Sequence, residues 1–184
     1  MTSLAPALLV SMPQMLDSNF VRTVILLCQH DEDGAFGLVL NRPATTSGRV
    51  TVNLHPPLSV DRELQIWIGG PVEPERSWIL VAGESGEDSP DGSVAIGDGL
   101  YLSTSPDLVR RALDPDPPDR MRLIVGYAGW GAGQLEHELQ ESAWLLSDVA
   151  AGLIFETPAE HMWEAAIRRL GADPAALYGS RGVH

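Results

Sequence analysis

Residues 121–139, M-R-L-I-V-G-Y-A-G-W-G-A-G-Q-L-E-H-E-L, constrain the fold more than any other stretch. Leu123-Ile124-Val125 is an apolar run of the kind that forms a buried strand. Gly126, Gly129, Gly131 and Gly133 follow, with Tyr127 and Trp130 among them. Leu135, Leu139 and Ala143 then recur at i, i+4 and i+8, one face of a helix. The pattern predicts strand, glycine loop, helix. That arrangement can aim free backbone N–H groups at an anion. The same glycines equally serve tight turns and close packing around Tyr127 and Trp130. Both readings stay open at the level of sequence.

The flanking segments predict short strands with a few helices. Residues 8–12, 24–29, 36–40, 65–68, 78–81, 94–96, 100–102 and 144–146 read as strands. Asp33-Gly34 between the second and third marks a hairpin, since glycine accepts positive φ at little cost. Gly97-Asp98-Gly99 marks another, and Pro90-Asp91-Gly92 a turn. Residues 44–63 carry weak signals, and 153–155 are ambiguous. Ser105-Pro106 predicts a capped helix start. Thr157-Pro158-Ala159-Glu160 reads as a capping box opening a helix that buries Met162, Ala166, Ile167 and Leu170. Residues 172–184 read as a loose tail. Strands and helices that do not strictly alternate predict an α+β fold with a mixed sheet in one domain over residues 1–184.

Composition removes some functions. The 25 acidic side chains outnumber 12 basic ones, all arginine, for a net charge of −13. Such a surface repels duplex DNA and anionic membranes over most of its area. Arg110-Arg111 and Arg168-Arg169, the densest basic spots, are only dipeptides. No apolar run reaches the roughly 20 residues that span a bilayer. The N-terminal apolar patch lacks a preceding positive charge and reads as a first strand rather than a signal peptide. Cys28 is the single cysteine, which fits a reducing cytoplasm.

Catalytic motifs are excluded one by one. The glycine stretch lacks the Lys and Ser/Thr of a P-loop, and position 134 is glutamine where G-x-G-x-x-G needs glycine. Asp31-x-Asp33-Gly34 resembles the start of a calcium loop, but Arg42 stands where that loop needs glutamate. The nucleophile-elbow pattern is absent. Cys28 and His30, two apart on a strand, share one face of it, so a His-assisted thiolate is one reading; a buried structural cysteine is the simpler one. Glu138 and Glu141 read as a charged outer helix face. Asn41-Arg42 either binds a carboxylate or phosphate or ties down the hairpin end.

Several segments together resemble one family. They are Leu8 to Pro13 with Asp17, Phe20 and Arg22; Leu27-Cys28-Gln29-His30 through Gly34, Gly37-Leu38-Val39-Leu40 and Asn41-Arg42-Pro43; Gly69-Gly70-Pro71-Val72; and Gly126 to Glu136. The chain is similar over nearly its whole length to the AlgH/YqgE family of bacterial proteins. The resemblance implies an α+β domain whose mixed, largely antiparallel sheet is bent into a pseudo-barrel with flanking helices. It also implies a cytoplasmic protein and an association with transcriptional regulation, and it brings no catalytic residues. Gly129, Trp130, Gly131, Gly133, Gln134 and Glu136 are the candidate ligand-binding residues, with Asn41 and Arg42 beside them. No catalytic residue, metal or cofactor is predicted. The function expected is a non-enzymatic binding or regulatory module with a protein or small-molecule partner. The alternative is a small-molecule hydrolase or thiol-dependent enzyme built on Cys28 or the Glu136 region.

Overall fold

A computed structural model describes residues 2–52, 54–83 and 92–179. In chain order the strands are β1 (Ala7–Ser11), β2 (Val24–Asp31), β3 (Gly34–Val39), β4 (Pro43–Thr45), β5 (Arg49–Val52), β6 (Leu58–Asp61), β7 (Gln65–Ile68), β8 (Val72–Ala82), β9 (Ser93–Gly97), β10 (Leu100–Ser103), β11 (Met121–Gly131) and β12 (Trp144–Ser147). The helices are α1 (Pro106–Ala112), α2 (Gln134–Gln140), α3 (Ala151–Glu156), α4 (Ala159–Arg169) and α5 (Pro174–Gly179). The strand order of the main sheet is β12-β1-β2-β3-β11-β8-β10-β9, with β7 and β4 branching from β11.

β11 belongs to both halves of this sheet. Its last residues pair antiparallel with β3, from Ala128↔Gly37 to Gly131↔Gly34. Its first residues pair antiparallel with β8 and, at Ile124 and Val125, parallel with β7. That parallel pair makes the sheet mixed. Between the two regions the register with β8 shifts across Val125 and Tyr127, and Gly126 sits there at φ 74°. An extra residue in one strand bends and twists a ladder locally. The sheet bends into a half-barrel, and the expected α+β single-domain fold is what the chain adopts.

The buried apolar residues among those described sort into three clusters. Leu8, Val10, Leu26, Leu38, Leu80 and Ile124 line the inside, closed by Ile154 of α3 and Met162 and Trp163 of α4. Leu9, Ile25, Leu27, Val39 and Trp130 face the other side and are covered by Leu135 of α2. Ile79 and Leu123 pack under Leu108 and Val109 of α1, with the separate β5–β6 hairpin alongside. β1 and the first four residues of β2, Val24 to Leu27, are buried on both faces, which is why they read as unbroken apolar runs rather than alternating ones. Arg122 crosses the interior at 9% exposure, donating to the Leu40 and Ile154 carbonyls, with its guanidinium 3.8 Å from the Trp67 ring. Burial pulls its pKa down to about 10.

The structure corrects several expectations. The glycine loop is not a loop: β11 runs through Gly126 and Gly129 to Gly131, leaving only Ala132 and Gly133 before α2. The residues with weak signals hold β4, β5 and β6, and residues 153–155 lie in the helix α3. Neither Ser105 at α1 nor Pro158 at α4 makes a side-chain cap, and Thr157 lies outside α4 in extended backbone. Leu170 is 39% exposed instead of buried. The tail is not loose over residues 172–179: α5 forms there, and Ala172 and Leu177 pack against the inner cluster. Pro90 and Asp91 of the expected turn lie outside the described residues.

Candidate functional site

Three strands bring three aromatic rings together. Phe36 of β3 stacks on Trp78 of β8 at 5.5 Å between centroids. Tyr127 of β11 stands edge-on to both, at 6.0 Å and 6.3 Å. The offset and edge-to-face geometries are those that aromatic quadrupoles favour. The rings form one wall of a cleft of about 660 Å³, which Gln29, Asp31, Asp33 and Arg76 also line. A second cleft of about 430 Å³ shares Gln29, Phe36, Arg76 and Trp78 with the first.

Charge is laid over the rings. The Arg76 guanidinium lies 4.4 Å from the Trp78 ring, and its Nη1 is 3.5 Å from Glu73. Arg76 and Trp78 are two apart on β8, hence on one face of it. Hydrogen bonding to Glu73 leads the causes that raise the pKa of the Tyr127 hydroxyl. At the tip of the β2–β3 hairpin, Asp31 accepts a 2.8 Å hydrogen bond from the Asp33 N–H. Trp78 is 7% exposed, and its indole N–H has no acceptor among the described residues.

Of the residues singled out by sequence, Gly129 and Trp130 border this cleft. Trp130 is otherwise an anchor, 6% exposed, stacked on Phe20 at 6.4 Å and edge-on to Trp144 at 6.1 Å. Gly131, Gly133, Gln134 and Glu136 lie at the strand-to-helix junction. There Gln134 accepts a 3.0 Å bond from the Gly131 N–H. Asn41 is buried and spent on the fold, accepting from the Val24 N–H and donating to the Arg22 carbonyl. Arg42 donates to the Val21 carbonyl and, among the described residues, to no acidic neighbour.

Glu136 meets His30 in a close hydrogen bond. His30 Nδ1 accepts from the Leu4 N–H at 3.0 Å, which assigns the proton to Nε2 and makes His30 the donor to Glu136. Three segments are thereby tied: the N-terminal strip, β2 and α2. This bond, more than any other cause, holds the Glu136 pKa below the ordinary carboxylate range, so the folded state binds the carboxylate form. Stability from the tie is therefore present above about pH 4.3, the ordinary glutamate value, and drains away as pH falls through the lower folded value. Glu136→Gln should flatten the loss of stability below about pH 4.3 relative to the parent in acid titrations followed by circular dichroism. Parallel acid curves would contradict it.

Glu138 does not sit on a charged outer face. Burial raises its pKa, and the nearby Trp130 and Trp144 indoles partly oppose the shift. No hydrogen bond of ordinary geometry closes there: Glu138 Oε2 and Trp144 Nε1 are buried and unpaired among the described residues.

Cys28 and His30 are not partners. The β2–β3 register shifts between Leu27 and Gln29, and this bulge breaks the alternation that would have put both on one face. Cys28 packs against the inner cluster, whereas His30 is bonded to Leu4 and Glu136. Burial drives the Cys28 pKa up to about 12, and its Sγ contacts the Leu26 carbonyl at 3.4 Å. Such a shift leaves little thiolate at neutral pH. Native Cys28 should react with iodoacetamide far more slowly than free cysteine at pH 7.5, reaching a comparable rate only in denaturant; fast native alkylation would refute this.

No sequence motif marks the aromatic wall, because Phe36, Trp78 and Tyr127 come from strands that meet only in space. The local clue is Glu73-x-x-Arg76-x-Trp78, a cation two residues from a tryptophan on a strand.

Comparison with known proteins agrees with this fold. The model of a family described as AlgH-like matches residues 8–175. A UPF0301 protein of Magnetococcus marinus is 42% identical over 180 residues, covering 95% of this chain and 93% of the relative. A UPF0301 protein of Stenotrophomonas maltophilia is 43% identical over 176 residues, covering 94% and 92%. The solution structure of the AlgH protein from Pseudomonas aeruginosa superposes with a TM-score of 0.68 at 35% identity, over 100% of this chain and 96% of that one. A crystal structure of a protein from Corynebacterium diphtheriae, 23% identical, shares the fold with a TM-score of 0.68 over 90% of this chain and 86% of that one. The chain belongs to the AlgH-like family.

Proposed function

We propose that this member of the AlgH-like family is a non-enzymatic binding module whose ligand seat is the Phe36–Trp78–Tyr127 wall. The observation that carries the reading is the cleft of about 660 Å³ over that wall. Its size and its mixture of rings with a few polar groups are those of a ligand pocket. The glycine stretch contributes to this seat through Gly129 and Trp130, which border the cleft. The thiol-dependent alternative is disfavoured, since desolvation raises the pKa of the partly buried Cys28 to about 12 and the thiol lies apart from His30. The hydrolase alternative at Glu136 is disfavoured too: a carboxylate whose pKa is lowered, away from neutrality, is a weak general acid or base at pH 7. Control by this protein would act through occupancy of the cleft by a partner or ligand. A reducing, cytoplasmic setting suits a chain with one partly buried thiol. No described helix is long and apolar enough to cross a membrane.

Calorimetric screening of metabolites and short peptides tests the seat. A ligand whose affinity drops at least tenfold in Tyr127→Ala, at unchanged secondary structure, is the expected result. A ligand bound equally well by both forms would place binding elsewhere. Duplex DNA should give no shift at micromolar protein and physiological salt, because the net charge is −13. A retarded band under those conditions would contradict this.

A further inference from the structure

Resting on the aromatic seat, we infer that its occupant is an arginine side chain carried by a peptide segment of a partner protein. Asp31, Asp33 and Arg76 line the cleft, and Glu73 pairs with Arg76. Three carboxylates against one guanidinium leave the site net negative, on a chain already at −13. An anionic ligand would meet repulsion there, and a cation would be drawn in.

The fold itself displays the fit. Arg76 lies over the Trp78 ring at 4.4 Å while Glu73 holds it at 3.5 Å. A flat guanidinium stacks on an aromatic face better than a compact ammonium does, which favours arginine over lysine. Both partners of the ion pair are about half exposed, at 50% and 48%, so the internal guanidinium is displaceable. Arg76 thus acts as a tethered competitor for the seat. One feature favours a peptide over a free guanidinium. The volume suits a ligand larger than one side-chain head.

The competitor role gives the test an unusual sign. Quenching of tryptophan fluorescence would be titrated with acetyl-Gly-Arg-Gly-amide, its Gln analogue and ethylguanidine, on the parent, Arg76→Gln and Asp31→Asn/Asp33→Asn. The Arg peptide should bind, the Gln peptide should not, and ethylguanidine should bind more weakly. Arg76→Gln should tighten the Arg peptide roughly three- to tenfold by vacating the ring. The double Asn variant should weaken it, as should added salt. Equal affinity for ethylguanidine would overturn the peptide part. An anionic ligand from the wider screen that binds at Tyr127 and is lost in Arg76→Gln would overturn the cationic class while leaving the seat intact. No binding of either sign at the cleft, in any variant, would overturn both.

Discussion

Trp130→Ala should cost about 3–5 kcal/mol, the usual range for truncating a buried aromatic. The ring is enclosed between Phe20, Trp144 and Leu135, on the face of the sheet that α2 covers. Removing it opens a cavity between β11 and α2 and strips two ring contacts at once. It also withdraws one of the two indoles beside the Glu138 carboxyl, a group already penalised by burial. Against a typical total of 5–15 kcal/mol, such a loss is a large share. Urea denaturation followed by circular dichroism measures it. Glu136→Gln should shift the midpoint far less at neutral pH, because its side chain is 30% exposed and the glutamine still accepts from His30. A Trp130→Ala protein with an unchanged midpoint would show that the second cluster does not hold the fold.

Gly126→Ala should be nearly as damaging, for a backbone reason. Gly126 sits at φ 74°, where an L side chain is strained by about 1–2 kcal/mol. A methyl group there would also drive into the Gly70 carbonyl oxygen, which belongs to backbone and cannot swing aside. Overpacking of that kind adds about 1–3 kcal/mol. Gly70 is its counterpart: a Cβ on Gly70 would collide with the Tyr127 carbonyl. The two glycine runs are thus two main chains in contact, with no room for side chains between them. Gly133→Ala should cost only about 1–2 kcal/mol, since it shares the positive φ but its Cβ would find Glu136 no nearer than 4.0 Å. Gly131→Ala, at negative φ with Gln134 at 3.9 Å, should be close to neutral. The expected order of midpoints is therefore Gly131→Ala, Gly133→Ala, Gly126→Ala from most to least stable. A Gly126→Ala protein as stable as Gly131→Ala would contradict the close approach of the two strands.

The sequence by itself determined the strands buried on both faces. Runs such as Leu8-Leu9-Val10 and Val24-Ile25-Leu26-Leu27 have no polar face to offer water, and only a sheet covered on both sides satisfies them. It also carried the Asp33-Gly34 hairpin, the Pro106 helix start and the family resemblance, all of which depend on neighbouring residues. Tertiary structure decided what the glycines are for. Spacing alone cannot distinguish a loop from a strand that bends, and β11 stays a strand because β3 and β8 supply partners for its backbone on either side of Gly126. Tertiary structure also separated Cys28 from His30, because the bulge between Leu27 and Gln29 arises from the register with β3. The aromatic wall was invisible for the same reason: Phe36, Trp78 and Tyr127 are 42 and 49 residues apart along the chain (78 − 36 and 127 − 78) and meet only when β3, β11 and β8 align. Local patterns record which faces a segment must bury, and pairing across strands decides which side chains then share a cleft.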